Sequence, residues 1–210
     1  MRRALTLIEL LLTMVIVGLV MMVIPKIVFV TNKSFEAIVK EEALYNALAL
    51  AGVVVSLPWD DANRKYEQIL PVEAGSDDYR CDPATGYRIG GFKGSRNCIA
   101  ETLPMASAKL EREDDEYNDL DDYNGYEVNT STPYGSKYKI DVAVEYFDDP
   151  PLSETIDLSS LSPSAKSTNT KVVKISVSNA LSNRKIFFRT TFYYDSVNIG
   201  QFYLNKRAWQ

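Results

Sequence analysis

Leu5-Thr6-Leu7-Ile8-Glu9-Leu10-Leu11-Leu12-Thr13-Met14-Val15-Ile16-Val17-Gly18-Leu19-Val20-Met21-Met22-Val23-Ile24 is a run of twenty residues with a single ionisable side chain, Glu9. At about 1.5 Å of rise per residue, a helix of that length spans the roughly 30 Å hydrocarbon core of a bilayer. A lone segment in lipid has to satisfy its own backbone groups, which leaves the helix as its only state. Arg2 and Arg3 precede the run and favour a cytoplasmic N-terminus, with the rest of the chain on the other side. A cleaved secretory signal predicts a shorter apolar core and then a small-residue cleavage site. Neither is found, because the apolar run continues through Met21, Met22, Val23 and Ile24.

A plain signal anchor explains the length of the run but not a carboxylate near its start. An acid at the centre of a membrane helix costs about 2.5–3.5 kcal/mol on insertion scales, and less near the end. Glu9 therefore needs a partner. One source is local: Thr6-Leu7-Ile8-Glu9 fits the S/T-x-x-E pattern of a capping box, in which the acid satisfies amides at the helix start. The other source is a second chain.

The residues around Glu9 bear on that choice. Ala4 followed by Leu5-Thr6-Leu7-Ile8-Glu9-Leu10 resembles the processing motif of type IV pilins and type II secretion pseudopilins. The resemblance implies that a prepilin peptidase cuts between Ala4 and Leu5 and methylates the new amine of Leu5. Glu9 then becomes the fifth mature residue, where the family carries its glutamate, and Gly18 falls where the family often has glycine. Ala4 stands where Gly is more usual and Leu5 where Phe or Met is. Pro25 sits one residue before the proline of many major pilins. In assembly, the resemblance implies that Glu9 pairs with the N-terminal amine of a neighbouring subunit or of its own. Two charges desolvated in a helix bundle then offset one another and set register.

Beyond the membrane run, Lys26, Lys33, Glu36, Lys40, Glu41 and Glu42 punctuate a pattern that stays helical. Ile38, Tyr45, Leu48 and Gly52 fall at helical spacing as a stripe on one side, although Glu41 intrudes, and Leu44–Val55, rich in Ala, Leu and Val, suits a helix packed against a sheet. Pro58 marks the end of the helix. One helix is expected from about Leu5 to about Leu57, bent or loosened at Pro25.

The last third alternates with period two. Tyr138, Ile140, Val142, Val144 and Tyr146 interleave with polar residues, as do Val173, Ile175 and Val177. Ile186, Phe188, Thr190, Phe192 and Tyr194 give a third strand, and Phe202 with Leu204 a short fourth. Clean alternation predicts an antiparallel sheet covered on one face, with the second half of the helix as the cover. Asn179–Arg184 is the expected turn between the second and third strands. Residues 150–170, rich in Ser, Pro and Thr, are expected as a long loop, and residues 58–135 as irregular chain.

The fold class is therefore α+β, on what the resemblance implies is a pilin-like plan. Residues 1–4 are the leader, 5–25 the membrane or filament-core helix, 26–57 its continuation on the head, and 58–210 a globular head with an antiparallel sheet.

Two cysteines, Cys81 and Cys98, lie in the polar part of the chain. An even count behind a membrane segment is read as one disulfide in an oxidising compartment, with two separate thiols as the alternative. Glu111 to Asp122 holds eight acids. Oxygen ligands at that density make Asp119, Asp121 and Asp122 calcium candidates. An EF-hand loop is excluded, because Asn124-Gly125 would require an acid where Leu120 stands. A solvated acidic loop is the default for such a run.

The chain has no histidine, which removes imidazole bases, Ser-His and Cys-His pairs, and the commonest zinc ligand. A formal net charge of -5 repels phosphate backbones and disfavours nucleic acid as a partner. No catalytic residue is assigned, no cofactor is expected apart from the calcium candidacy, and the chain is read as a non-enzyme. The resemblance implies a structural subunit of a type IV pilus or a type II secretion pseudopilus, and the length and long loops of the chain point to a minor one. Its partners are then other pilins or pseudopilins, the prepilin peptidase and an inner-membrane assembly platform. Its place is the bacterial inner membrane, single-pass with the head periplasmic, and afterwards the filament. The alternative is a pilus-displayed adhesin or uptake subunit.

Overall fold

The computed structural model describes residues 6–65, 69–82, 84, 86, 103–131, 137–151, 162–179 and 188–199. Among them are a long helix α1 (Leu7–Val55), a short helix α2 (Ala62–Lys65) and four strands: β1 (Glu127–Ser131), β2 (Lys137–Phe147), β3 (Thr170–Ser178) and β4 (Arg189–Val197). The layout is α+β. The chain divides into two compact units, Met1–Glu42 and Ala43–Gln210.

In the first unit, the side chains from Leu7 to Val30 are exposed and almost all apolar. A helix that is apolar all round has no solvated face, which suits a lipid or helix-bundle environment. The helix is long and apolar enough to cross a membrane. Pro25 lies inside it.

In the second unit, the sheet order is β1-β2-β3-β4 and every pairing is antiparallel. The register pairs Ile140 with Val177, Val142 with Ile175 and Val144 with Val173, so the apolar sets of β2 and β3 share one face. All six side chains are buried. Across β3, Ile175 pairs with Phe192 and Val173 with Tyr194 of β4. The other face carries polar residues in ion pairs: Lys139 with Glu127 (2.6 Å) and Asp141 (2.7 Å), and Lys174 with Glu145 (2.6 Å). Such partly solvated pairs contribute little to stability.

Ala43, Ala47 and Val54 of α1 are buried, and the Asn46 side-chain amide donates to the Tyr138 hydroxyl on the apolar face of the sheet. The helical part of this unit therefore covers that face. Its packing stripe differs from the one expected. Tyr45, Leu48 and Gly52 are exposed, and the buried residues lie on the opposite side of the helix. Small alanines allow close approach of helix to sheet, whereas the larger side chains of the expected stripe would hold the two apart.

Two further expectations are corrected. Residues 58–135 are not irregular throughout, since Glu127–Ser131 pairs with β2 as an edge strand. Nor is the acidic run solvated to its end: Glu111 to Tyr117 are exposed, but Asp119, Asp121 and Asp122 are buried. Ile186, Phe187, Phe202, Leu204 and most of the Asn179–Arg184 turn lie outside the described residues.

Segment 69–76 is held against the sheet by side chains. Asn198 accepts from the Leu70 amide (3.2 Å) and donates to the Leu70 carbonyl (2.7 Å). Asp149 accepts from the Ser76 amide (2.8 Å), the Asn169 side chain (2.8 Å) and the Thr170 hydroxyl (3.0 Å). Backbone groups that lack ladder partners are thus satisfied by the buried Asn198 and the half-buried Asp149.

Candidate functional site

Ala4 and Leu5, the expected processing residues, lie outside the described residues. Glu9 is placed in the first turn of α1. Its Oε2 accepts from the Thr6 backbone N–H (3.0 Å) and from the Thr6 hydroxyl (3.1 Å). The first of these bonds is half of a capping box, in which the third helical residue reaches back to the residue before the helix. In the single chain, therefore, the Glu9 carboxylate is occupied locally and remains exposed. Cys81 is half-buried, and Cys98 lies outside the described residues.

A second constellation lies in the head. Lys171, near the start of β3, is completely buried. The apolar residues Val173, Ile175 and Val177 set the inward parity of β3, and Lys171 continues that odd-numbered series. It pairs across the strands with Tyr146 of β2 and Ser196 of β4. Trp59 and Asp60 approach from the segment just after α1, beyond Pro58. The turn at Asp119–Tyr123 approaches from a third direction, and the Leu120 amide donates to the Pro58 carbonyl (3.1 Å), tying the two segments together.

The amine of Lys171 donates to the Trp59 carbonyl (2.6 Å) and to Asp121 Oδ1 (2.7 Å), and lies 3.7 Å from Asp60 Oδ2. It sits 4.1 Å from the centre of the Trp59 ring and 5.3 Å from that of Tyr146. Both rings present π-faces that favour a cation and exclude water. Trp59 is itself anchored by its indole N–H, which donates to the Ser196 carbonyl (3.2 Å). The Tyr146 hydroxyl donates to the Ser107 carbonyl (2.7 Å), and the two rings meet edge to face at 6.2 Å.

The carboxylates are held by backbone amides. Asp60 accepts from Ala62 (3.0 Å) and Ser107 (2.8 Å). Asp122 Oδ2 accepts from Asn118 (2.7 Å) and Asp119 (3.2 Å), and Asp119 Oδ1 accepts from Asp122 (3.1 Å). Asp121 and Asp60 thus face the Lys171 amine, while Asp119 and Asp122 are buried in the adjoining turn. Burial, reinforced by the Asp121 charge, pushes Asp119 up to about 8. Burial pushes Asp121 up to about 6, against the opposing pull of Lys171. Burial and the surrounding carboxylates also drive the Tyr146 phenol upward.

The calcium candidates Asp119, Asp121 and Asp122 therefore share one turn but do not converge on a common point. Among the described residues no group of three or more acidic side chains is arranged to hold a metal ion. Asp121 faces an amine, and the other two cap amides of their own turn.

Lys171 was missed by sequence reasoning, although the parity of β3 contained the signal. Extending the series 173, 175, 177 back by one step puts a lysine on the core face. Tyr146 belongs to the alternating series of β2, and nothing in the sequence marked Asp60.

No family model, curated protein or solved structure matches this chain.

Proposed function

We propose that this chain is a structural subunit of the pilin-like class, a minor component of a type IV pilus or type II secretion pseudopilus. In this reading prepilin peptidase cuts between Ala4 and Leu5, and Leu5 is methylated on its new amine. The subunit waits in the bacterial inner membrane with its head outside the cytoplasm. An inner-membrane assembly platform then moves it into a filament among other pilins or pseudopilins. The reading assigns it no substrate turnover.

One observation carries the proposal: α1 is exposed and almost wholly apolar from Leu7 to Ile24, bears one acid there, Glu9, in its first turn, and continues as one helix to Val55. Exposed apolar surface on that scale demands a partner. Lipid supplies one before assembly and neighbouring helices supply one after. The local cap on Glu9 gives the carboxylate a resting partner in the single chain, which the N-terminal amine of a neighbour replaces in the filament. A Cys81–Cys98 bond belongs to the same reading, since the head lies in an oxidising compartment. Two reactive thiols in the unreduced, denatured protein would contradict that bond.

The test is incorporation of Glu9→Leu. The variant should insert in the membrane normally, because it removes a charge from an apolar helix. It should be absent from sheared filaments or pilus-tip complexes. Incorporation at the native level would overturn the assembly role of Glu9.

A further inference from the structure

We propose that Lys171 and Asp121 become joined by an intramolecular amide between Nζ and Cγ, formed by the folded head itself. The claim rests on the geometry of the buried cluster and not on the pilin reading. Lys171 Nζ and Asp121 Oδ1 are 2.7 Å apart, so the carboxyl carbon lies one bond beyond an oxygen already in contact with the amine. Lys171 is completely buried, Asp121 is nearly so, and the Trp59 and Tyr146 rings lie against the amine. A second carboxylate, Asp60, lies 3.7 Å from the same nitrogen, in a different segment from Asp121.

Each step can be assigned to groups in that cluster. Transfer of one proton from the Lys171 ammonium to Asp121 converts the ion pair into a neutral amine and a neutral acid, the forms that react, and burial lowers the cost of that transfer relative to water. The Nζ lone pair attacks Cγ, forming the C–N bond and a tetrahedral centre. Asp60 takes a proton from the nitrogen and returns it to the departing hydroxyl as the C–O bond breaks. One ammonium and one carboxylate give one amide and one water, with no change of oxidation state and no cofactor. Asp60 is regenerated.

Two physical terms favour the reaction here over a dilute amine and acid in water. Fixed neighbours react with effective molarities of about 10⁵–10⁸ M when held near the attack geometry. The product also replaces two buried charged groups by one neutral amide. Burial raises the proton affinity of Asp121, as required of an acid that must be neutral to be attacked. The bond would tie the start of β3 to a turn fifty residues earlier in the chain. A covalent tie there holds the head closed against proteolysis or pulling force, because the two segments could not separate without breaking an amide.

The experiment is intact-mass and peptide mapping of the full chain, extracted from membranes in detergent and then denatured. The expected mass is that of the processed chain less one water. A branched tryptic fragment should join the peptide holding Asp121 to the one holding Lys171, with no cleavage after Lys171. Lys171→Arg keeps a buried cation but cannot condense in this way, and it should restore the missing water and abolish the branched fragment. A wild-type chain of full mass that is cut after Lys171 would overturn the proposal. A water deficit mapped to any other position would overturn it equally. The N-terminal peptide is read separately in the same map, so failure of processing and failure of the amide remain distinct.

Discussion

Lys171 Nζ lies 2.7 Å from Asp121 Oδ1, joining the start of β3's inward face to a loop that the sequence would place in solvent. The contact explains why three acids of an otherwise exposed run are buried. Asp119, Asp121 and Asp122 follow the chain inward toward Lys171 on the core face of the sheet. Backbone amides hold Asp119 through Oδ1 and Asp122 through Oδ2.

Removing the cation should therefore be costly. Lys171→Met removes the nitrogen that holds Asp121, whether by ion pair or by amide, and leaves the Asp60 and Asp121 carboxyls buried without it; losing one partner of a buried pair costs about 3–5 kcal/mol. Urea unfolding of the detergent-solubilised chain should show that loss. Adding Asp121→Leu to the same chain should recover part of it. A change below about 1 kcal/mol for the single variant would mean that the cluster is solvated.

Asp119 gives the head a pH dependence. Its carboxyl titrates near 4 when unfolded and at about 8 when folded. Between those values the folded chain holds a proton that the unfolded chain has released. The contribution of this group is fully present below pH 4, is lost as pH rises, and levels off above 8. The slope is at most about 1.4 kcal/mol per pH unit. Burial is the leading cause, so the slope persists whether Asp121 is an acid or an amide. Melting temperature measured from pH 5 to 8 should fall more steeply for the native chain than for Asp119→Asn, and equal slopes would refute the assignment.

Much of the head was legible because period-two alternation is a direct image of a half-buried sheet. Tyr138 to Tyr146 and Val173 to Val177 fell where the pattern put them. Glu127–Ser131 escaped because an edge strand needs no apolar alternation, and Glu-Val-Asn-Thr-Ser carries little. The helix stripe was misjudged for a related reason. Hydrophobicity ranks Tyr45 and Leu48 above Ala43 and Ala47, whereas close packing on a sheet selects by size. The burial of Asp119 to Asp122 was invisible because charge density reads as solvation unless the partner is known. That partner lies fifty residues away, on a strand whose start was placed three residues late.

Gly75 marks a second constraint. A Cβ there would come within 2.6 Å of Asn169 Nδ2 and 2.8 Å of Val72 Cγ2. Asn169 cannot retreat freely, because the same Nδ2 donates to Asp149. Gly75→Ala should cost about 1–3 kcal/mol, the usual range for overpacking. Thermal unfolding checks this, and an unchanged melting temperature would show that segment 69–76 shifts without strain.

The most direct test of the pilin reading is the N-terminal mass of the protein taken from its native membrane, with and without prepilin peptidase. The account predicts a chain that begins at Leu5, carries one methyl group on its amine, and keeps its leader when the peptidase is absent. A chain that still begins at Met1 with the peptidase present, or one cut beyond Ile24, would contradict it.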